Sequence, residues 1–489
     1  MKVILGLDIG TSSSKALIID EKGRTLGFAS SSYDFDTPRP GYAEQDAEQL
    51  FDATLKAIND AMGMVGDSCD VVAIGITGQM HGLVALDKDK KPVGKIIIWA
   101  DKRSSEIKPE LEGLNLEKKT KNPFSAGFLL PSLVWVKKNN PVSFAAIRYV
   151  MLPKDYIRFR LTGNIGTDFS DASGTFLFNT ETESWDKEAI ESLGLSGICF
   201  PEIHRSAEIA GTLQTEAAAR CLISEDTPVV YGGGDSPMQL VGNGLVSEGQ
   251  LCTNIGTASQ INYICRNPLN VWNKLNTFHH IPDNLWITVG ASLNGGIALK
   301  WAKKAFFDNH VDFNGMDMLA KDSKPGANGV VFLPFLCGER SPYMNPDAKG
   351  ILYGLTISTE QHDIVRSIME SVVFSFRDCL EVILANGQKT DDVIIAAGGG
   401  ARSPLWLQIQ ADVLKKEIRV FDEAIEAAKG ACLTAAVGAG LYSSFEEAAA
   451  ELAPHKFTSY YPDPANFSVY DDRFEVYRSL YRNNVNLFS

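Results

Sequence analysis

The sequence predicts an α/β protein of two domains. Three observations carry that prediction. Apolar, β-branched runs alternate with stretches of helical periodicity, and the strand-like runs are followed within a few residues by glycine. The chain has 489 residues, beyond the roughly 250–300 at which one hydrophobic core stops growing. Taken in order, residues 3–9 and 14–20 are strand-like and flank the Gly10-Thr11 turn, which makes them a hairpin. Over 46–59 Leu50, Phe51, Leu55 and Ile58 recur at helical spacing, and a short buried-strand run follows over 71–76, so the sheet is covered by helix. Further strands are expected over 228–231, 330–334 and 392–397. One faint repeat appears: Asp8-Ile9-Gly10-Thr11-Ser12-Ser13 is echoed by Asn254-Ile255-Gly256-Thr257-Ala258-Ser259. Each copy opens a turn after a strand-like run. The boundary is therefore expected near 245–250, giving domains 1–246 and 247–489.

The composition, 45% hydrophobic and 22% charged with a net charge of -14, is that of an ordinary globular protein. Such a charge argues against DNA, RNA or an anionic membrane as partner, since those want clustered Lys and Arg. It does not argue against a nucleotide, whose phosphates are neutralised locally by Mg²⁺ and backbone amides. The eight cysteines stand singly, with no metal-ligand spacing, as expected of free thiols in a reducing compartment. The opening residues lack the apolar core of a secretory leader, and no run approaches the roughly 20 apolar residues of a membrane span. A cytoplasmic location is the expectation.

Four segments carry chemistry. In the first, residues 6–15, Asp8 ends a strand and is followed by Gly10, Thr11 and Ser12. Such a turn suits a phosphate chain with its Mg²⁺; a plain hairpin with an incidental Asp is the alternative. In the second, Gly398-Gly399-Gly400 followed by Ser403 lies between a strand and a helix. Backbone there can approach a flat or anionic ligand, and the helix start adds partial positive charge. In the third, Gly232-Gly233-Gly234-Asp235 ends a buried strand. Phosphoryl transfer to an alcohol needs a carboxylate that orients the hydroxyl and takes its proton, and Asp235 is the candidate; a turn-capping Asp is the alternative. The fourth is the short loop Gly78-Gln79-Met80-His81-Gly82 after the 71–76 strand, which presents a neutral imidazole able both to donate and to accept hydrogen bonds; an incidental surface His is the alternative. Neither a G-x-x-x-x-G-K-[ST] loop nor a G-x-G-x-x-G fingerprint occurs, so ATP would have to be held by paired glycine hairpins.

Over nearly its whole length the chain resembles the FGGY carbohydrate kinases. The most specific match is Gly350-Ile351-Leu352-Tyr353-Gly354-Leu355, continued by Asp363-Ile364 and by Ser367-Ile368-Met369-Glu370, which is similar to the C-terminal signature of that family. The N-terminal signature departs, with Ser132 where the family usually has Lys. The resemblance implies two actin-like ATPase (ribonuclease H-like) domains around a cleft, with ATP and Mg²⁺ bound there. Asp8 would hold the metal, Thr11, Ser12, Gly256 and Thr257 would cradle phosphates, and Gly398, Gly399, Gly400 and Ser403 would border the nucleotide. The Met80-His81 loop, the segments 151–156 and 170–175, and Trp99-Ala100-Asp101-Lys102-Arg103 resemble the sugar-side segments of the members that act on D-xylulose. Substrate contacts would come from Met80, His81, Asp235 and Asp101, the last equally readable as a structural partner of Arg103. Segment 338–348, starting Gly338-Glu339-Arg340, matches a loop expected to shape the cleft. Ser236 stands where those members often have Asn, so gluconate, ribulose or a polyol are alternative acceptors, and a non-catalytic actin-like nucleotide switch is a more distant one. The partners expected are ATP and a small sugar, with a homodimer as the assembly to test.

Overall fold

The computed structural model describes residues 1–66, 69–423 and 427–488. Two seven-stranded sheets organise it. In the first, β1 (Lys2–Ile9), β2 (Ser13–Asp20) and β3 (Thr25–Ser32) form an antiparallel meander, with Asp8 opposite Lys15. The helix α1 (Ala47–Val65) begins where Asp46 accepts hydrogen bonds from the amides of Glu48 and Gln49, the cap that a side-chain oxygen supplies to a helix start. It returns the chain to β4 (Asp70–Gly78), which runs parallel to β1. The edge strand β5 (Ile209–Thr212) pairs antiparallel with β6 (Pro228–Val230), and β6 lies parallel to β4. Strand order is β5-β6-β4-β1-β2-β3, with Gly233–Gly234 also pairing with β4. The helix α2 (Asp235–Gly242) follows directly.

The second sheet repeats that plan. Strands β7 (Leu251–Ile255) and β8 (Ser259–Cys265) form its hairpin; β9 (Asn276–His279) and β10 (Trp286–Ser292) extend the meander. Beyond the helices α3 (Gly296–Phe307) and α4 (Gln361–Ala385), β11 (Val393–Ala397) runs parallel to β7 and β12 (Glu417–Phe421) parallel to β11. In each half a meander is thus followed by two parallel strands, and the sequence repeat marks the first hairpin of each. The expected strand over 330–334 forms at Val331–Leu333, but it pairs with Ile351–Tyr353 in a separate small sheet.

One helix from the late sequence crosses back. The helix α5 (Ala427–Gly438) packs on the first sheet, where Ala428, Cys432 and Leu433 share a core with Ile4, Ala73, Val230 and Met238. Its approach is close: a Cβ added at Gly6 would stand 2.1 Å from the Ala428 carbonyl oxygen, and one at Gly75 1.8 Å from that of Ala431. Only glycine on the sheet and small residues on the helix allow this. The last helix, α6 (Phe467–Asn484), buries Tyr470, Phe474, Tyr477 and Leu480 in the core of the second half, at the spacing of one helix face. No helix among the described residues is long and apolar enough to cross a membrane.

Candidate active site

The two hairpins and the ends of the parallel strands carry the groups singled out in the sequence. At the end of β1 the buried Asp8 carboxylate meets the Lys15 ammonium at 3.3 Å. The turn beyond is closed by the Gly10 amide on the Ser13 carbonyl at 3.0 Å. Thr11 is fixed from outside: its carbonyl accepts from Gln45 Nε2 at 2.6 Å and its hydroxyl from the Trp99 indole at 2.9 Å. Ser12 is exposed at the tip. Trp99, read in the sequence as the first residue of the segment 99–103, holds its large ring half exposed beside this turn.

Asp235 occupies the first turn of α2 because three glycines let the end of β6 press against its neighbours. A Cβ at Gly232 (φ 74°) would lie 1.9 Å from the Ile76 carbonyl oxygen, and one at Gly234 2.6 Å from Met80 Cγ. Those contacts bring Met80 against the backbone that delivers Asp235. The carboxylate accepts from the Ser236 amide at 2.7 Å and is half-buried. Burial, then the neighbouring Asp8 charge, pushes its pKa up to about 7, against the pull of the Ser236 hydrogen bond. A carboxylate with that affinity for a proton is matched to general-base work near neutral pH.

His81 adopts φ 77° and stacks on Phe128, ring centroids 4.4 Å apart, with Phe278 of the second half at 5.7 Å. Its Nδ1 lies 2.7 Å from the Gly174 carbonyl. A carbonyl only accepts, so Nδ1 carries the proton and Nε2 is left as an acceptor. Burial drives the pKa down to about 4, aided by the positive charge of Arg340, so the ring is neutral at physiological pH. Of the two readings of Asp101, the structure displays the pairing with Arg103. The buried carboxylate takes the Arg103 amide at 2.8 Å, its guanidinium through Nε and Nη2 at 2.7–3.0 Å, and the Ala43 amide at 2.7 Å. These bonds tie the Trp99 segment to Arg103 and to Ala43. Ser132, likewise, is buried within the helix Leu129–Asn139 rather than at the surface.

The second half supplies a pocket of about 930 Å³. It is lined by Gly256 and Thr257 from the β7–β8 turn, Gly296, Lys300 and Lys303 from α3, and Gly399, Gly400, Arg402 and Ser403 beyond β11. Phe313, Met318 and Trp406 give it apolar walls. Gly398 is not part of this lining. It holds φ 80°, and a Cβ on it would sit 2.3 Å from Asn254 Oδ1; it permits the close turn that presents Gly399 and Gly400. The Ser403 hydroxyl donates to Asp317 and accepts from the Trp406 amide at 3.0 Å, so it caps a helix at the rim. The β7–β8 turn rests on the start of α3 through the amides of Gly296 and Ile297 at 2.8 and 3.0 Å. The Gly295-Gly296 pair ahead of an apolar helical run was the readable signal for this helix start.

Arg340 enters from the same half. Beside it Glu339 is buried and accepts from the Ser292 hydroxyl at 2.7 Å and the Leu293 and Arg340 amides at 3.1 and 2.7 Å. Burial pushes the Glu339 carboxyl up to about 7. The Arg340 side chain is reached by solvent, and desolvation by the atoms around it lowers its pKa.

The paired hairpins, the carboxylate at a strand end and the ligand-sized pocket are what a sugar kinase of the actin-like fold requires. Residues 3–242 match the N-terminal domain, and residues 251–439 the C-terminal domain, of the FGGY family of carbohydrate kinases. The chain belongs to that family. Among curated relatives, the xylulose kinase of Lactococcus lactis is 32% identical over 99% of this chain and 97% of its own length. Among solved structures, a "xyloylose kinase" from Brucella ovis superposes with a TM-score of 0.92 at 31% identity, covering 99% of this chain and 100% of that one. A gluconate kinase from Lactobacillus acidophilus reaches 0.93 at 26% identity, covering 99% and 98%. Backbone shape therefore does not separate sugar from sugar acid in these FGGY kinases. Local side chains must do so, and a kinase of this family takes ATP as its phosphoryl donor.

Proposed function

We propose that this FGGY kinase transfers the γ-phosphoryl group of ATP to the terminal hydroxyl, O5, of D-xylulose, forming D-xylulose 5-phosphate in pentose catabolism. The observation that carries this reading is the packing of Met80 against Gly234, the residue before Asp235, with His81 next to Met80 in the same loop, in a chain similar over its full length to a curated xylulose kinase. ATP lies in the second-half pocket, its phosphates reaching toward Thr11, Ser12 and Thr257. Asp235 accepts the O5 proton as the O5–phosphorus bond forms and the bond from the γ-phosphorus to the β-phosphate oxygen breaks, with ADP leaving. His81 accepts a hydrogen bond from a sugar hydroxyl through Nε2.

Burial, and after it the Asp8 charge, raise the Asp235 carboxyl, so the two carboxylates face the same site, and Asp8 lies at the base of the phosphate turn. This fits a site for Mg²⁺, which is typically held by one or two carboxylates plus substrate phosphates. Asp8 would hold it, and when bound it neutralises charge on the transferring phosphates. A cytoplasmic setting, with ATP at hand and the eight cysteines free, goes with this reading.

ADP production measured side by side with D-xylulose, gluconate, ribulose and a polyol tests it. D-xylulose is expected to give the highest kcat/KM. Equal or better turnover of gluconate would move the substrate assignment and leave the phosphoryl-transfer geometry intact.

A further inference from the structure

Segments 151–156 and 170–175 were expected on the sugar side, but most of their polar side chains never reach the cleft. Lys154, Asp155, Ser170 and Asp171 are fully buried, together with Arg158 and Asp168. Ionised groups in such a place are costly unless each is paired. Lys154 spends all three ammonium protons: on Asp155 Oδ1 at 2.7 Å, on Asp168 Oδ1 at 3.1 Å and on the Tyr231 carbonyl at 3.1 Å. The other Asp168 oxygen accepts from the Ser170 amide at 2.8 Å, the Ser170 hydroxyl at 2.5 Å and the Ser206 hydroxyl at 3.1 Å. Ser170 Oγ in turn accepts from the Gly234 amide at 3.0 Å. Burial lifts the Asp171 carboxyl well above its ordinary range, against the pull of the Lys154 ammonium 3.4 Å away.

The two ends of this network are the Tyr231 carbonyl and the Gly234 amide, the residues that bracket the glycine run leading into Asp235. Three successive glycines are the most mobile backbone a chain can have, yet general-base catalysis needs the carboxylate held to within a fraction of an ångström. We infer that Lys154, Asp168 and Ser170 are positioning residues, which lock both ends of the glycine run so that Asp235 stays aimed at the acceptor hydroxyl. The inference rests on Asp235 being the base, as proposed above. It does not depend on which sugar supplies the hydroxyl.

The test is a double-mutant cycle of Ser170→Ala with Asp235→Asn, run with whichever sugar the parent enzyme turns over best. Ser170→Ala removes one hydroxyl without leaving a buried charge unpaired, so folding is expected to survive, as circular dichroism and thermal unfolding would show. In the parent background kcat should fall roughly 10- to 100-fold, with KM for ATP and sugar within about twofold, because a small misplacement of a reacting group is costly. In the Asp235→Asn background the same change should alter kcat less than about twofold. An equal loss in both backgrounds, or none in the parent, overturns the positioning role. Near-parental activity of Asp235→Asn alone overturns the base assignment instead. If Ser170→Ala does not fold, Ser206→Ala, which removes a single donor to Asp168, is expected to give a smaller kcat loss that likewise vanishes without Asp235; a loss that persists without it, or no loss, refutes the network.

Discussion

Asp235→Asn should make the enzyme slower and the protein more stable, with the second effect depending on pH. In the fold, burial and the Asp8 charge raise this carboxyl from an ordinary 3.8 to about 7. At about 1.4 kcal/mol per pH unit, ionising it in the folded protein costs at most about 4 kcal/mol more than in the unfolded chain. The sign follows from the raised value. Below pH 3.8 the group is neutral in both states and costs nothing; as pH rises toward 7 the folded state progressively loses stability, and above 7 the full loss is present. Asparagine stays neutral throughout and keeps an oxygen for the Ser236 amide. The melting temperature of the ligand-free variant should therefore match the parent near pH 4 and exceed it at pH 8. At roughly 2 °C per kcal/mol for a folding unit of about 250 residues, the ceiling is about 8 °C. On the same preparation kcat should fall at least ~100-fold, while ATP still binds by calorimetry. A melting gap that is absent or pH-independent would refute the desolvation argument, and turnover within a few-fold of the parent would refute the base.

His81→Ala should raise KM for the sugar roughly 3- to 10-fold, the weight of about one hydrogen bond, and leave KM for ATP unchanged; equal effects on both would remove this loop from the sugar site. Because burial holds the imidazole pKa near 4, sugar KM should show no His81-dependent inflection between pH 5 and 8. Gly399→Val should weaken ATP binding about tenfold or more by filling the pocket floor, with sugar KM intact; the positive φ belongs to Gly398 and not to Gly399, so the variant should fold, and unchanged nucleotide affinity in calorimetry would exclude this turn from the site. Arg340→Gln should lower kcat/KM for the sugar more than for ATP in steady-state kinetics, and a pure ATP effect would show that Arg340 serves the phosphates alone.

Much of the site was legible because it is local in sequence. The hairpin turns, the Gly232–Gly234 run and the Met80-His81 loop each place a chemical group within a few residues of a strand end, and periodicity locates the strand. What escaped depends on contacts between distant residues. Nothing around residue 427 says that α5 lies on a sheet made of residues 2–78; only the fit of Gly6 and Gly75 against Ala428 and Ala431 does. Trp99 and Arg340 lay in segments that resemble the family, but their contacts did not show in the sequence: only the fold sets Trp99 on Thr11 and brings the Arg340 charge to bear on His81. Asp101 had two readings that only hydrogen-bond partners could separate. The segment 460–489, by contrast, hid in plain sight: Tyr470, Phe474, Tyr477 and Leu480 are spaced along one helix face.

The charges divide between the halves in a way that bears on the whole cycle. The first half offers the cleft Asp8 and Asp235, with Lys15 committed to Asp8, and a neutral imidazole. The second offers Lys300, Lys303 and Arg402 around a pocket at a helix start. Asp312 and Asp317 also line that pocket, but the three cations outnumber them, so a nucleotide polyphosphate is drawn to the second wall and would approach Asp8 on the first only with Mg²⁺ between them, while an uncharged sugar is selected by hydrogen bonds. On the proposed reaction ATP and acceptor thus load on opposite walls, and transfer must bring the walls together. Once transfer is complete, the sugar carries a phosphate on the wall that holds the two carboxylates. Asp235 has just taken the acceptor proton; once reopening of the cleft lets it return that proton to solvent, its charge opposes the new phosphate, and release of the phosphorylated sugar is favoured over its retention.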